Sequence, residues 1–270
     1  MLPGTGVRIL APLHDAMTDL AHLTWPEAAE FFGPRTIAIV QVGSTEPHGP
    51  HLPLDTDTTI ARDQALRAAR KLDAAGARAI VLPPLAYGLT NWTEGFAGRV
   101  TLRPGTLWAL LEDIVIALER EGIRQIVFSN AHLEPEHVQV LRGVASDHPE
   151  RTREGAQVLF VDVTRRANAE KLGDEFRGGD CHAGRYESSL VMAVEPEAVR
   201  ESERRTLPPV RIDLLDKMKA GVTSFRKAGA TRGYCGDPAA ATAVEGESLY
   251  ERLADMIVAS CRETWPDLFR

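Results

Sequence analysis

Four short aliphatic runs are spread along the first 163 residues: TIAIVQVG (36–43), RAIVLPP (78–84), RQIVFSN (124–130) and QVLFVDV (157–163). None alternates polar with apolar, so each reads as a strand buried on both faces, as parallel sheets require. Parallel neighbours need long crossovers, and helical patterns supply them. TTIARDQALRAARKLDAAG (58–76) and TLWALLEDIVIALEREG (106–122) carry apolar residues at helical spacing and end in Gly76 and Gly122, where a C-terminal cap is wanted. EHVQVLRGVASDH (136–148) reads as a third helix. Strand–helix alternation of this kind implies an α/β fold, a mainly parallel sheet covered by helices on both sides.

Beyond residue 200 the pattern changes. LPPVRIDLLDKMKAGVTSFRKAGATRGYCGDPAAA (207–241) is rich in Gly, Pro and charge and reads as a long excursion over the surface. EGESLYERLADMIVASCRETW (245–265) then closes the chain as an amphipathic helix. No repeat or linker interrupts the sequence, so a single domain over 1–270 is expected. The net charge of −7 lacks the basic footprint that a nucleic acid demands. No apolar run approaches the ~20 residues of a membrane span. MLPGTGVRILAPLHDAM shows no basic region followed by an apolar one, so no secretory leader is expected. Cys181, Cys235 and Cys261 are too few and too scattered for a disulfide framework or a thiolate zinc site. These features together predict a cytoplasmic protein acting on a small molecule.

The densest chemistry follows the first strand, in VGSTEPHGPHLPLDTDT (42–58). Ligands of open parallel sheets bind beyond the carboxyl ends of strands. Glu46 and His48 stand there, two apart and on one side of extended backbone. His132 and Glu134 repeat that spacing after the third strand, and Asp57 sits where the first loop becomes a helix. Two Glu, two His and an Asp suit Zn²⁺ or Mn²⁺, and the absence of Cys points to a catalytic site rather than a structural one. Five ligands exceed one open zinc but fit two ions sharing a carboxylate; ions ~3.5–4 Å apart lower the pKa of a shared water.

GSTEPHGPHLPLDTD resembles the first metal motif of the creatininase (creatinine amidohydrolase) family, and YGLTNWTEGFAGRVTLRPGTL, HAGRYESSLVMAVEP and GYCGDPAAATAVEGE resemble three further blocks in the same order. The likeness runs from about Trp25 to the last helix. It implies a three-layer α/β/α sandwich, hydrolysis of a C–N bond in a cyclic amide, formamide or peptide, and a homo-oligomer, commonly a hexamer. It also implies one ion on Glu46, Asp57 and His132 and another on His48, Asp57 and Glu134. His182 would give a proton to the leaving nitrogen or stabilise an oxyanion, and Glu187 would orient the water or accept its proton. The chain departs from the family where SNAHLE (129–134) replaces NGHGGN and where Phe96-Ala97-Gly98-Arg99 replaces FPGT. Arg99 or Arg185 near the site would suggest an anionic substrate.

Each residue also has a plainer explanation. Glu46 and His48 alone would be solvated loop residues, and His132 with Glu134 a helix-entry cap. His51 is assigned to packing or support. Asp55 shares a face with Asp57 and competes with it for the bridge; the family's spacing favours Asp57. His182 alone would be a hydrogen-bonded structural histidine, and the helix dipole alone explains Glu187. His137 is expected on an exposed helix face, and Cys181 is not expected to be a nucleophile. The combined reading is a metal-dependent amidohydrolase of creatininase type. The alternatives are a lactone or C–C bond hydrolase on the same two ions, or a non-catalytic metal-binding maturation protein.

Overall fold

The computed structural model describes residues 18–151 and 155–270; the N-terminal segment read above as lacking a leader lies outside them. The four runs become strands β1 (Ile37–Val42), β2 (Ala79–Val81), β3 (Gln125–Asn130) and β4 (Gln157–Phe160). All pair in parallel in the order β2-β1-β3-β4. Ile37 stands opposite both Ala79 and Gln125, and Gln125 opposite Gln157. Two strands stop well short of the ends of their aliphatic runs. β2 stops before Pro83 and Pro84, which have no N–H to give a ladder. β4 has only β3 beside it, and their register ends at the Phe128–Phe160 pair.

Alternation along the strands divides the core in two. Ile37 and Ile39 face one layer, in which α1 (Thr56–Ala74), α4 (Arg185–Val194) and α6 (Ala243–Thr264) bury Ile60, Leu72, Leu190 and Leu253. Ala38, Val40 and Val42 face the other, where α2 (Pro104–Arg120) and α3 (Pro135–Arg151) bury Leu107, Leu111, Leu141 and Val144. The result is a three-layer α/β/α sandwich. A short helix, Trp25–Phe31, precedes β1; its Thr24–Glu27 capping box is an N-terminal signature that hydrophobic spacing alone overlooks. Trp25 is 83% exposed.

The chain leaves β1 for β2 on one side and returns past β1 to β3 on the other. Strand order therefore reverses between β1 and β3, and a crevice opens beyond their carboxyl ends. The surface excursion expected after residue 200 is instead a folded wall of this crevice. It contains α5 (Leu214–Lys219) and buries Ile212, Leu214, Phe225, Ala228 and Cys235 in a small core of its own. Its apolar residues are too sparse and too irregularly spaced to announce that core.

Candidate metal centre

Four separate segments meet in the crevice. The loop after β1 brings Glu46 and His48, the first turn of α1 brings Asp57, and the loop after β3 brings His132 and Glu134. His182 comes from the loop before α4, and Glu187 from that helix's first turn. All seven are buried, which rejects the solvated-loop reading of Glu46 and His48. His132 Nδ1 lies 3.2 Å from Glu46 Oε1 and 2.9 Å from Asp57 Oδ2. His48 Nε2 lies 3.3 Å from Asp57 Oδ1 and 3.4 Å from Glu187 Oε2. Ligand atoms of Glu46, His132 and Glu134 fall within 4.8 Å of one another; so do those of His48, Asp57 and Glu187, and those of Glu46, His48 and His182.

Hydrogen bonds aim these groups. Each imidazole places its outer nitrogen on a backbone carbonyl: His48 Nδ1 on Glu46 at 3.0 Å, His132 Nε2 on Leu89 at 2.5 Å, His182 Nε2 on Pro47 at 3.0 Å. The outer nitrogen donates, so the inner one faces the cluster, the arrangement that orients metal-binding histidines. Ser44 Oγ donates to Asp57 Oδ2 (2.7 Å), Thr93 Oγ1 to Glu46 Oε2 (3.2 Å) and the Trp92 N–H to Glu134 Oε2 (3.1 Å). The Ala183 N–H donates to Glu187 Oε2 at 2.6 Å. Two inward atoms, His48 Nε2 and Glu134 Oε1, are buried without a hydrogen-bond partner among the described residues. Such orphans are costly unless something takes their lone pairs. Carboxylates and inward imidazoles around two orphaned atoms fit a pair of divalent ions of the zinc or manganese type.

Electrostatics follow from burial and crowding. Burial would raise the Asp57 pKa, but His48 and His132 beside it hold it well below the usual range. Glu46 is likewise lowered, burial being outweighed chiefly by His132. Burial would lower both imidazoles, yet the carboxylates prevail: His48 rises to about 10, through Asp57 and Glu187, and His132 rises well above its ordinary value. Glu187 is pushed up to about 8 and Glu134 to about 7, in both cases first by burial. Burial and then His48 push His182 down to about 4.

The structure brings together every acid and imidazole singled out for the centre, with a different partition. Glu134 groups with Glu46 and His132, while Glu187 takes the place beside His48 and Asp57 that the resemblance gave to Glu134. Asp55 is exposed and belongs to none of the ligand groups. His51 is buried, with Nε2 2.8 Å from Ser188 Oγ. Cys181 is buried and its pKa raised well above the ordinary value, first by burial, which keeps the thiol protonated. His137 corrects an expectation: it is fully buried, 4.7 Å centroid to centroid from His132. Residues 137, 140, 141, 144 and 148 are spaced i, i+3, i+4, i+7 and i+11, so the sequence did carry that signal.

A cavity of about 260 Å³ opens from the cluster. Trp92, Leu133, Val138, Leu215, Met218 and Phe225 give it an apolar wall. Arg99 and Arg185 do not line it; Arg185 Nε instead lies 3.2 Å from Glu245. The arginines at the cavity are Arg142 and Arg177, which sequence reasoning missed. Asp162 Oδ2 orients Arg142, accepting from Nε at 2.8 Å and Nη2 at 2.6 Å. Phe225 stacks on His182 at 4.2 Å, a contact made by the segment whose fold was not legible.

A family model described as "Creatininase: Creatinine amidohydrolase" matches residues 21–261. A "Mycofactocin precursor peptide peptidase" of Mycolicibacterium smegmatis is 33% identical over 238 residues, 86% of each chain. A "Creatinine amidohydrolase" of Pseudomonas putida is 26% identical over 267 residues, 92% of this chain and 97% of that one. Solved creatininases, among them a manganese form and a mutant Zn–Zn form, superpose with a TM-score of 0.70 at 22% identity, covering 92% of this chain and 98–99% of theirs. That last likeness carries the fold alone.

Proposed function

This chain belongs to the creatininase family and is a hydrolase acting on carbon–nitrogen bonds; from that premise we propose that it cleaves an amide of a small, peptide-like substrate with the help of two divalent cations. Glu46, His132 and Glu134 would hold one and His48 the other, with Asp57 between them, its Oδ1 3.3 Å from His48 Nε2 and its Oδ2 2.9 Å from His132 Nδ1. Zinc or manganese suits these donors. Ions bound there would lower the pKa of a water and polarise the carbonyl oxygen.

The remaining work falls to the chain's own groups. Glu187 takes the proton of the attacking water: its Oε2 lies in the cluster 3.4 Å from His48 Nε2, and burial raises its carboxyl above the usual carboxylate range, which makes the anion a stronger proton acceptor. Its orientation comes from Ala183, a non-glycine residue at φ 48° whose N–H it accepts. Left-handed backbone at such a residue costs ~1–3 kcal/mol and is kept where geometry matters. His182 has its Nε2 proton committed to Pro47, so its inward Nδ1 is a lone pair that serves the departing nitrogen by relaying to it the proton that Glu187 receives from the water. Phe225 stacked on its ring keeps water from that face.

The convergence of Glu46 and Glu134 on His132, from the ends of two different strands, carries this reading. The apolar wall and the Asp162-oriented Arg142 favour an extended amide with an apolar body and an anionic group over a compact polar ring. The test is metal analysis of protein purified without chelator, then a screen of short peptides, formamides and lactams. Two ions per chain and turnover on a peptide-like amide are expected. Glu187→Gln should keep both ions and lose at least a hundredfold in turnover, within the span of general-base catalysis. Well-folded protein without metal would overturn the mechanism. Full activity of the variant, or loss of one ion, would remove Glu187 from the role of base.

A further inference from the structure

The mechanism above makes no use of His137, yet this residue is fully buried behind the cluster and both its ring nitrogens are engaged. The Leu89 N–H points at Nδ1 from 3.3 Å, and Nε2 lies 3.1 Å from Asn130 Oδ1. An amide N–H can only donate. The carboxamide oxygen can only accept, and Asn130 is fixed in that orientation because its Nδ2 donates to the His132 carbonyl while its Oδ1 accepts the His132 N–H. These partners allow one form of the ring: neutral, with the proton on Nε2.

The same two partners hold His132. The Leu89 carbonyl accepts from His132 Nε2, and Asn130 brackets the His132 backbone from both sides. The two imidazoles meet edge to face at 78°. Gly88 makes room for this contact, since a Cβ there would lie 2.6 Å from His137 Nδ1. We propose that His137 is a positioning residue for the metal centre: it grips the Leu89 backbone and Asn130, and through them fixes the ring and tautomer of His132. It touches neither substrate nor metal, and its reach is confined to the Glu46–His132–Glu134 side. His48, whose outer nitrogen is held by Glu46, and Glu187, held by Ala183, lie outside it.

The inference rests on the reading of His132 as a ligand, and Zn²⁺ binding to the chelated full-length chain separates the two. If wild type binds no Zn²⁺, the proposed function falls first. If it binds two equivalents, His137→Phe, which keeps ring size and removes both nitrogens, should weaken one equivalent 10- to 100-fold, as loss of an outer-shell partner does. The other equivalent should stay within about threefold. His137→Gln carries one acceptor and one donor on its carboxamide and should restore most of the loss. Equal weakening of both equivalents, or of neither in folded His137→Phe, overturns the proposal. Because His137→Phe risks misfolding, a second measurement needs no variant: long-range ¹H–¹⁵N spectra of the Zn²⁺-loaded wild type should show His137 and His132 both protonated at Nε2. A proton at His137 Nδ1 would overturn the proposal by itself.

Discussion

Substituting Gly246 by alanine probes how far the catalytic geometry depends on helix packing away from the centre. Gly246 lies in the first turns of α6, where that helix crosses α4, and a Cβ there would stand 1.9 Å from Ser189 O and 2.9 Å from Ala193 Cβ. The first contact is with backbone, so no side chain can swing away. Real Cβ contacts do not fall below 3.0 Å, so the helices must part by about 1 Å. Overpacking of this kind costs about 1–3 kcal/mol, and a backbone clash belongs at the upper end. At roughly 2–4 °C per kcal/mol for a chain approaching this size, the unfolding midpoint should fall by about 6–12 °C. The same shift moves α4, whose first turn carries Glu187, with Oε2 3.4 Å from His48 Nε2. A displacement of about 1 Å costs on the order of a hundredfold in rate. The assay is thermal unfolding and turnover of metal-loaded protein, with Gly105→Ala as control because nothing lies within 4 Å of its added Cβ. A Gly246→Ala protein within 1 °C of wild type (on the scale of the fall estimated above) and within about twofold in turnover, against the hundredfold expected, would refute the coupling of this crossing to the site.

Two further outcomes follow from titration. Without metal, His48 has a pKa of about 10 against an ordinary 6.5, and His132 is also raised. Both therefore bind a proton more tightly when folded, and the stability they add is full below about pH 6.5 and lost as pH climbs toward 10. Chelated protein should lose thermal stability across that window while metal-loaded protein does not, and Zn²⁺ binding near pH 7.5 should release protons from both imidazoles, and further ones from the raised Glu134 and Glu187 carboxyls, by calorimetry in buffers of different ionisation heat; no proton release would refute it. Cys181, Cys235 and Cys261 are buried with raised pKa values, so iodoacetamide at pH 8 should leave activity of the folded enzyme unchanged, and rapid inactivation would contradict their inert assignment.

What the sequence disclosed of this molecule divides by the range of the interaction concerned. The sheet was legible because strand burial and helix spacing are periodic along the chain: Ile37–Val42 and Gln125–Asn130 fall inside the aliphatic runs, and α1 and α2 stop just before Gly76 and Gly122. Glu46, His48 and Asp57 could be marked because one short loop and one helix start carry them beside a strand end. The partition of the acids could not. Whether Glu134 or Glu187 stands by His48 depends on how α4 is seated against the β1 loop, a relation between residues more than a hundred positions apart. The wall was hidden for the same reason. Phe225 reaches His182 across a segment whose six buried apolar residues show no helical or strand period, and Arg142 is visible only as one more charge on α3 until Asp162 turns it toward the cavity. His137 is the instructive exception. Its place on the apolar stripe of α3 was written in the spacing, but a histidine is usually assigned to solvent unless its burial has a stated cause. Here the cause is a pair of polar partners, Leu89 and Asn130, which themselves serve His132. A buried imidazole on a helical stripe, five residues from a ligand candidate, is therefore better read as part of the apparatus that holds that ligand still.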